Sequence, residues 1–180
     1  MNKYVSILRG INVSGLKKIK MADLKRLYEQ LGFENVLTYI QSGNVIFESP
    51  SGNKATIKNN IETAIKEAYN FDVPVKIKTG LEIQNIIKTC PFKDLDIEKD
   101  GTKVLVTFLY SNPPSTVVIN IKKYVVTPEV LIVKGTEVYL YCPNGYGKSK
   151  LSNTYIEKKL GVVATTRNWK TVLKLDTLSN

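Results

Sequence analysis

Apolar positions along the first eighty residues change period in a fixed order. Lys3 to Arg9 reads as a short strand, and Met21, Leu24, Leu27, Tyr28 and Leu31 then recur at helical spacing, with Gly32 as the stop. Val36 to Gln41 predicts a second strand, Ser42-Gly43 a two-residue hairpin turn, and Asn44 to Glu48 a third strand. Ile57, Ile61, Ala64, Ile65 and Ala68 form the stripe of a second helix. Val73, Val75 and Ile77 alternate with Lys76 and Lys78 in a fourth strand, which Pro74 marks as an edge. The order is β-α-β-β-α-β, the split βαβ pattern of a ferredoxin-like module.

Thr79-Gly80-Leu81-Glu82 fits a capping box ahead of a connecting helix bearing Ile83, Ile86 and Ile87, and Cys90 through Gly101 reads as a polar linker. The pattern then recurs. Val104 to Tyr110 predicts a strand, and Ser115 to Lys122 a weak helix, since Val117, Val118 and Ile119 are poor helix formers. Val130 to Val133 and Val138 to Tyr141 form a hairpin across Lys134-Gly135. Leu151, Tyr155, Ile156 and Leu160 share a helix face, Val162 to Ala164 is a short strand, and Trp169, Val172 and Leu173 begin a last helix. The expectation is an α+β chain of two tandem ferredoxin-like modules with antiparallel sheets. Module 1 is 1–79, the connecting helix and linker 80–102, and module 2 with its C-terminal helix 103–180.

Composition narrows the chemistry. The 180 residues include no histidine, which removes the usual general base, the usual metal ligand and every Ser-His or Cys-His arrangement. Two cysteines, Cys90 and Cys142, make neither a disulfide framework nor a zinc site and suit a reducing compartment. With no apolar signal core and no long apolar run, the expected location is cytoplasmic, with no membrane partner. The net charge of +10 is spread evenly, because each half carries 13 basic and 8 acidic residues. An even surplus is more often a solubility trait than a nucleic-acid footprint.

A ferredoxin-like strand order of 4-1-3-2 brings the end of the first strand beside the hairpin between the second and third. Arg9, Gly10 and Asn12 then share a rim with Gln41, Ser42, Gly43 and Asn44. In module 2 the loop Cys142 to Ser149 and the strand exit Thr165-Thr166-Arg167-Asn168 lie where a helix starts, a place suited to an anion, with Lys148 and Arg167 adding charge. The structural alternative weighs against each. Gly10, Gly15, Gly43 and Asn44 are common turn formers, Asn168 or Thr166 can cap the last helix, and Trp169 reads as a core anchor. Tyr4, Tyr39 and Phe47 read as core, with base stacking on an open sheet as the alternative.

Two motifs fall short. Gly147-Lys148-Ser149 lacks the first glycine of a phosphate loop, since Cys142 and then Pro143 stand there. Ser42-Gly43-Asn44-Val45-Ile46-Phe47 carries one aromatic where an RNA-recognition strand needs more.

Leu8 to Gly15 (LRGINVSG), Thr38 to Val45 (TYIQSGNV) and Thr165 to Trp169 (TTRNW), with Thr171, Val172 and Lys174, closely resemble a family of bacterial proteins called domain of unknown function 1697. Cys90-Pro91-Phe92 and Gly147 to Asn153 follow its pattern too, which also has Arg at 148 and commonly Asn at 90. The resemblance implies a small soluble α+β protein of two ferredoxin-like parts and brings no catalytic residue or cofactor with it.

The leading functional expectation is binding of a small anionic or polar metabolite by Arg9, Asn12, Gln41, Asn44, Lys148, Arg167 and Asn168. The alternatives are non-specific nucleic-acid binding and a histidine-free enzyme using Lys20, Lys148 or a tyrosine as proton carrier. Cofactor and oligomeric state stay open, and no metal is expected.

Overall fold

The computed structural model describes residues 1–180. It is a mixed α and β chain with two four-stranded antiparallel sheets and seven α-helices, and it divides into two compact units. The first comprises 1–84 together with 175–180, and the second comprises 85–174.

In the first unit, β1 (Asn2–Leu8), α1 (Met21–Gln30), β2 (Glu34–Tyr39), β3 (Asn44–Ser49), α2 (Lys54–Tyr69) and β4 (Val75–Thr79) follow in order, and the sheet runs β2-β3-β1-β4. Strand alternation sends Tyr4, Leu8, Val45, Phe47, Val75 and Ile77 to one face. There they pack with Leu24, Leu27 and Tyr28 of α1 and Ile57, Ile61 and Ile65 of α2. Phe47 sits edge-on to Tyr28, with ring centroids 5.3 Å apart, and 4.6 Å from Phe33. The core reading of Tyr4 and Phe47 is correct, and neither ring is offered to a base. A polar insertion at the centre of this face is matched: Ser6 Oγ lies 2.8 Å from the Tyr28 hydroxyl, and both groups are buried.

α2 begins on Asn53, whose side chain accepts from the amides of Ala55 and Thr56, and ends on left-handed Asn70. The capping box expected at Thr79 exists. The Thr79 amide donates to Glu82 Oε2 at 2.8 Å, and the Glu82 amide donates to Thr79 Oγ1 at 3.2 Å, opening α3 (Gly80–Lys88).

The second unit holds α4 (Ile97–Asp100), β5 (Val104–Leu109), α5 (Ser115–Ile121), β6 (Val130–Lys134), β7 (Glu137–Tyr141), α6 (Asn153–Leu160), β8 (Ala164–Asn168) and the start of α7 (Trp169–Ser179). Its sheet runs β6-β7-β5-β8. Leu105, Leu109, Val138, Leu140 and Ala164 pack with Ile121 of α5 and Ile156 and Leu160 of α6. α4 replaces part of the expected linker, because Asp96 accepts from the amides of Glu98 and Lys99 and so nucleates a turn.

Candidate functional site

The rim of the first unit is made by two loops thirty residues apart. The β2–β3 connection is not the two-residue turn that Ser42-Gly43 suggests. Its strand stops at Tyr39, which pairs with Asn44, and residues 40–43 form a four-residue turn closed by the Gly43 amide on the Ile40 carbonyl. Ile40 itself is left-handed (φ 50°), a conformation that a β-branched residue rarely takes.

Gly43 locks this turn to the end of β1. The Leu8 amide donates to the Gly43 carbonyl at 2.8 Å. With φ at 80°, a side-chain carbon on Gly43 would fall 2.6 Å from Ile11 Cδ1 and 2.9 Å from Leu8 Cβ. Glycine is therefore required twice, by backbone conformation and by space.

Asn12 completes the fastening. Its amide nitrogen donates to the carbonyls of Ile19 (2.9 Å) and Gln41 (3.0 Å), and its oxygen accepts from the Ile19 amide at 2.9 Å. Both amide hydrogens are thus engaged within the loops, and the residue braces the rim. Asn44 behaves similarly: it is buried, and its amide donates to the Tyr39 carbonyl and Ser42 Oγ. Gln41 is exposed, with its side-chain oxygen 3.5 Å from Asn12 Nδ2. Arg9 is half-buried at the root of the loop, its amide donating to the Pro74 carbonyl at 3.0 Å. So the expected neighbourhood of Asn12, Gln41, Ser42, Gly43 and Asn44 exists, but two of its amides hold the frame.

In the second unit the expected partners are dispersed. Lys148 is exposed in a 3-10 turn, Tyr146–Lys148. The Lys148 and Ser149 amides donate to the carbonyls of Gly145 and Tyr146, so they close that turn and do not form a phosphate cradle. Ser152 caps α6 by accepting from the Tyr155 amide. Thr166 faces α6, its hydroxyl 2.8 Å from Thr107 Oγ1 and 3.0 Å from Asn153 Oδ1. Strand alternation therefore turns Arg167 to the opposite face, away from the helix start where its charge was expected. It is buried, and Nη1 donates to Thr165 Oγ1 and to the Thr166 carbonyl, each at 2.9 Å. Burial lowers its pKa to about 10, still cationic at neutral pH. Asn168 accepts from the Thr171 amide at 2.9 Å and so caps α7, while Trp169 is buried as a core anchor.

Displaced titrations give no activated nucleophile among the thiols and phenols. Burial pushes Cys90 and Cys142 up, and it pushes Tyr28, Tyr69, Tyr139 and Tyr146 up as well, all toward the unreactive neutral form. No group of three or more acidic or cysteine side chains is placed to hold a metal ion. No helix is long and apolar enough to cross a membrane.

The fold recurs in the conserved bacterial protein SP0830 from Streptococcus pneumoniae, with a TM-score of 0.75 over 99% of both chains at 22% identity. At that identity the likeness concerns the fold alone. None of the curated proteins matches the chain. The model of the family described as protein of unknown function (DUF1697) matches residues 1–139, which include the rim loops and both of their motifs, and the chain belongs to that family.

Proposed function

We propose that each unit is a ferredoxin-like module and that the chain is a cytoplasmic binding protein for a small anionic or polar metabolite, held at the rim of the first unit. The strand order β2-β3-β1-β4, repeated as β6-β7-β5-β8 with helices against one face of each sheet, supports the module reading. The binding reading rests on backbone strain concentrated at one edge. Asn12, Ser14, Lys17 and Ile40, none of them glycine, are all left-handed in the two fastened loops, at φ between 45° and 56°. Asn tolerates that conformation, but Ser14, Lys17 and Ile40 each cost about 1–2 kcal/mol relative to ordinary backbone. Such strain persists only where the surrounding structure over-determines it, and it gathers at ligand clamps.

The charge of the rim selects an anion. Arg9 stands at its root and Lys17, Lys18 and Lys20 along its loop, with no acidic side chain in residues 9–20 or 40–44. Arg9 supplies charge, Gln41 an adaptable amide, and Asn12 and Asn44 hold the loops in register. The test is thermal unfolding of the whole chain with nucleotides, sugar phosphates and carboxylates in turn. One class is expected to stabilise it, by about 2.7 kcal/mol when present at a hundredfold its dissociation constant. R9A is expected to lose that stabilisation. No shift with any class, or an unchanged shift in R9A, refutes the reading.

A further inference from the structure

Each sheet ends in two outer strands, so the chain has four backbone edges: β2 and β4 in the first unit, β6 and β8 in the second. An open edge is a row of unpaired donors and acceptors that templates another strand. Three edges are blocked. On β4, the Val75 amide donates to Glu62 and the Thr79 amide to Glu82, each at 2.8 Å. On β8, the Ala164 amide donates to Glu157 at 2.8 Å, while the Ala164 and Thr166 carbonyls accept from Asn153 and Arg167. On β2, the register breaks between Glu34 and Leu37 around left-handed Asn35.

β6 carries none of these devices. It pairs regularly from Val130↔Tyr141 to Lys134↔Glu137, reads Val-Leu-Ile-Val-Lys without proline, and receives no side-chain bond on its backbone. The chain leading into it exposes Ile119 (65%), Tyr124 and Val126 (63%).

We infer that β6 pairs antiparallel with β6 of a second copy of this chain, about a two-fold axis through Ile132. Such an axis preserves the two faces of the sheet, so only residues on the same face can stand opposite one another. Leu131 and Val133 share the helix-covered face with Leu140 and Val138, and Val130, Ile132 and Lys134 take the other. Centred on Ile132, the pairs are Ile132 with Ile132, Leu131 with Val133, and Val130 with Lys134. An axis through Leu131 instead sets Pro128 opposite Lys134, which interrupts the ladder. The run of four aliphatic residues carries no charge to select a foreign sequence, whereas it matches itself. The two copies of Lys134 lie about 14 Å apart along the strands, beyond the screening length of about 8 Å at physiological salt. Each is also drawn to its own Thr89 carbonyl, at 2.7 Å.

The test is sedimentation velocity of the whole chain from low micromolar to submillimolar concentration. A monomer–dimer equilibrium is expected. I132K sets two ammonium groups opposite one another at the axis and is expected to sediment as a monomer, with circular dichroism as the check on folding. Val130, which is 37% exposed, supplies a second pair that does not disturb the core. V130E places a carboxylate opposite Lys134 of the second copy twice per dimer and should tighten association about 2- to 30-fold, and V130K should loosen it. A monomer at every concentration, a dimer that survives I132K, assemblies beyond the dimer, or shifts of the same sign in V130E and V130K would each overturn the pairing.

Discussion

Replacing Gly43 with alanine tests the locking of the rim most directly, because the structure separates two costs at this one position. Left-handed backbone costs an alanine about 1–2 kcal/mol. The new methyl group would also sit 2.6 Å from Ile11 Cδ1, in a place where Ile11 is 1% exposed and has nowhere to go. Overpacking of that kind costs about 1–3 kcal/mol, and the lower entropy of the unfolded alanine chain returns about 0.4–1 kcal/mol. The net is a loss of about 1–5 kcal/mol, and its central value of ~3 kcal/mol lowers the melting temperature by roughly 12–24 °C for a unit of this size. Gly10 is the internal control: it is also left-handed (φ 71°), but a side-chain carbon there meets nothing within 4 Å, so G10A bears the backbone cost alone. I11V removes the atom that clashes most, and the double variant I11V/G43A should recover part of the loss as a favourable coupling. Urea unfolding of the four variants, followed by far-UV circular dichroism, reads these differences. Equal losses in G43A and G10A, or strict additivity of I11V with G43A, would refute the steric argument.

Other predictions concern protonation. Burial, only partly offset by the Ser6 hydrogen bond, leaves the Tyr28 hydroxyl titrating well above its ordinary 10.0, so the folded state keeps the proton when the unfolded chain loses it. Stability from this group is full below pH 10 and declines above it; Y28F should remove that alkaline slope and cost about 1 kcal/mol at neutral pH, read as urea midpoints at pH 8 and pH 11. At Glu82, burial alone would raise the carboxyl, but the Lys54 ammonium at 2.8 Å and the Thr79 amide outweigh it and hold the group below its ordinary 4.5. Its contribution is present above that value and disappears as the pH falls through the lowered one. Gln can keep the cap but not the ion pair with half-exposed Lys54, so E82Q should lose about 0.2–1 kcal/mol at pH 7 and show a flatter acid limb than the parent.

Much of the fold is legible in the order of residues. The stripes of α1 and α2, the alternation in β4 and the Thr79–Glu82 box all follow from period and capping chemistry, which act over a few residues. α5 forms although Val117, Val118 and Ile119 disfavour it, because Ile121 is buried against the second core, and propensity yields to such packing. The β2–β3 turn misleads because Ile40 at positive φ is a choice only tertiary contacts can enforce. The candidate site is legible in part. Sequence proximity of Thr166 and Arg167 suggests a shared edge, yet neighbouring strand residues face opposite ways, and only the Thr107–Thr166 contact fixes which one meets α6. The brace made by Asn12 was equally hidden, since whether an amide holds a loop or greets a ligand depends on carbonyls seven and twenty-nine positions away.

Both thiols, and the single tryptophan, fall within 85–174, and the first unit has none of these groups. Sheltered Cys90 and Cys142 can be alkylated only when their surroundings open, so the rate of thiol capture is a native clock for transient unfolding of the second unit. Indole emission from Trp169 follows the same half, so thiol capture and tryptophan fluorescence both watch the breathing of the second unit and are silent on the first.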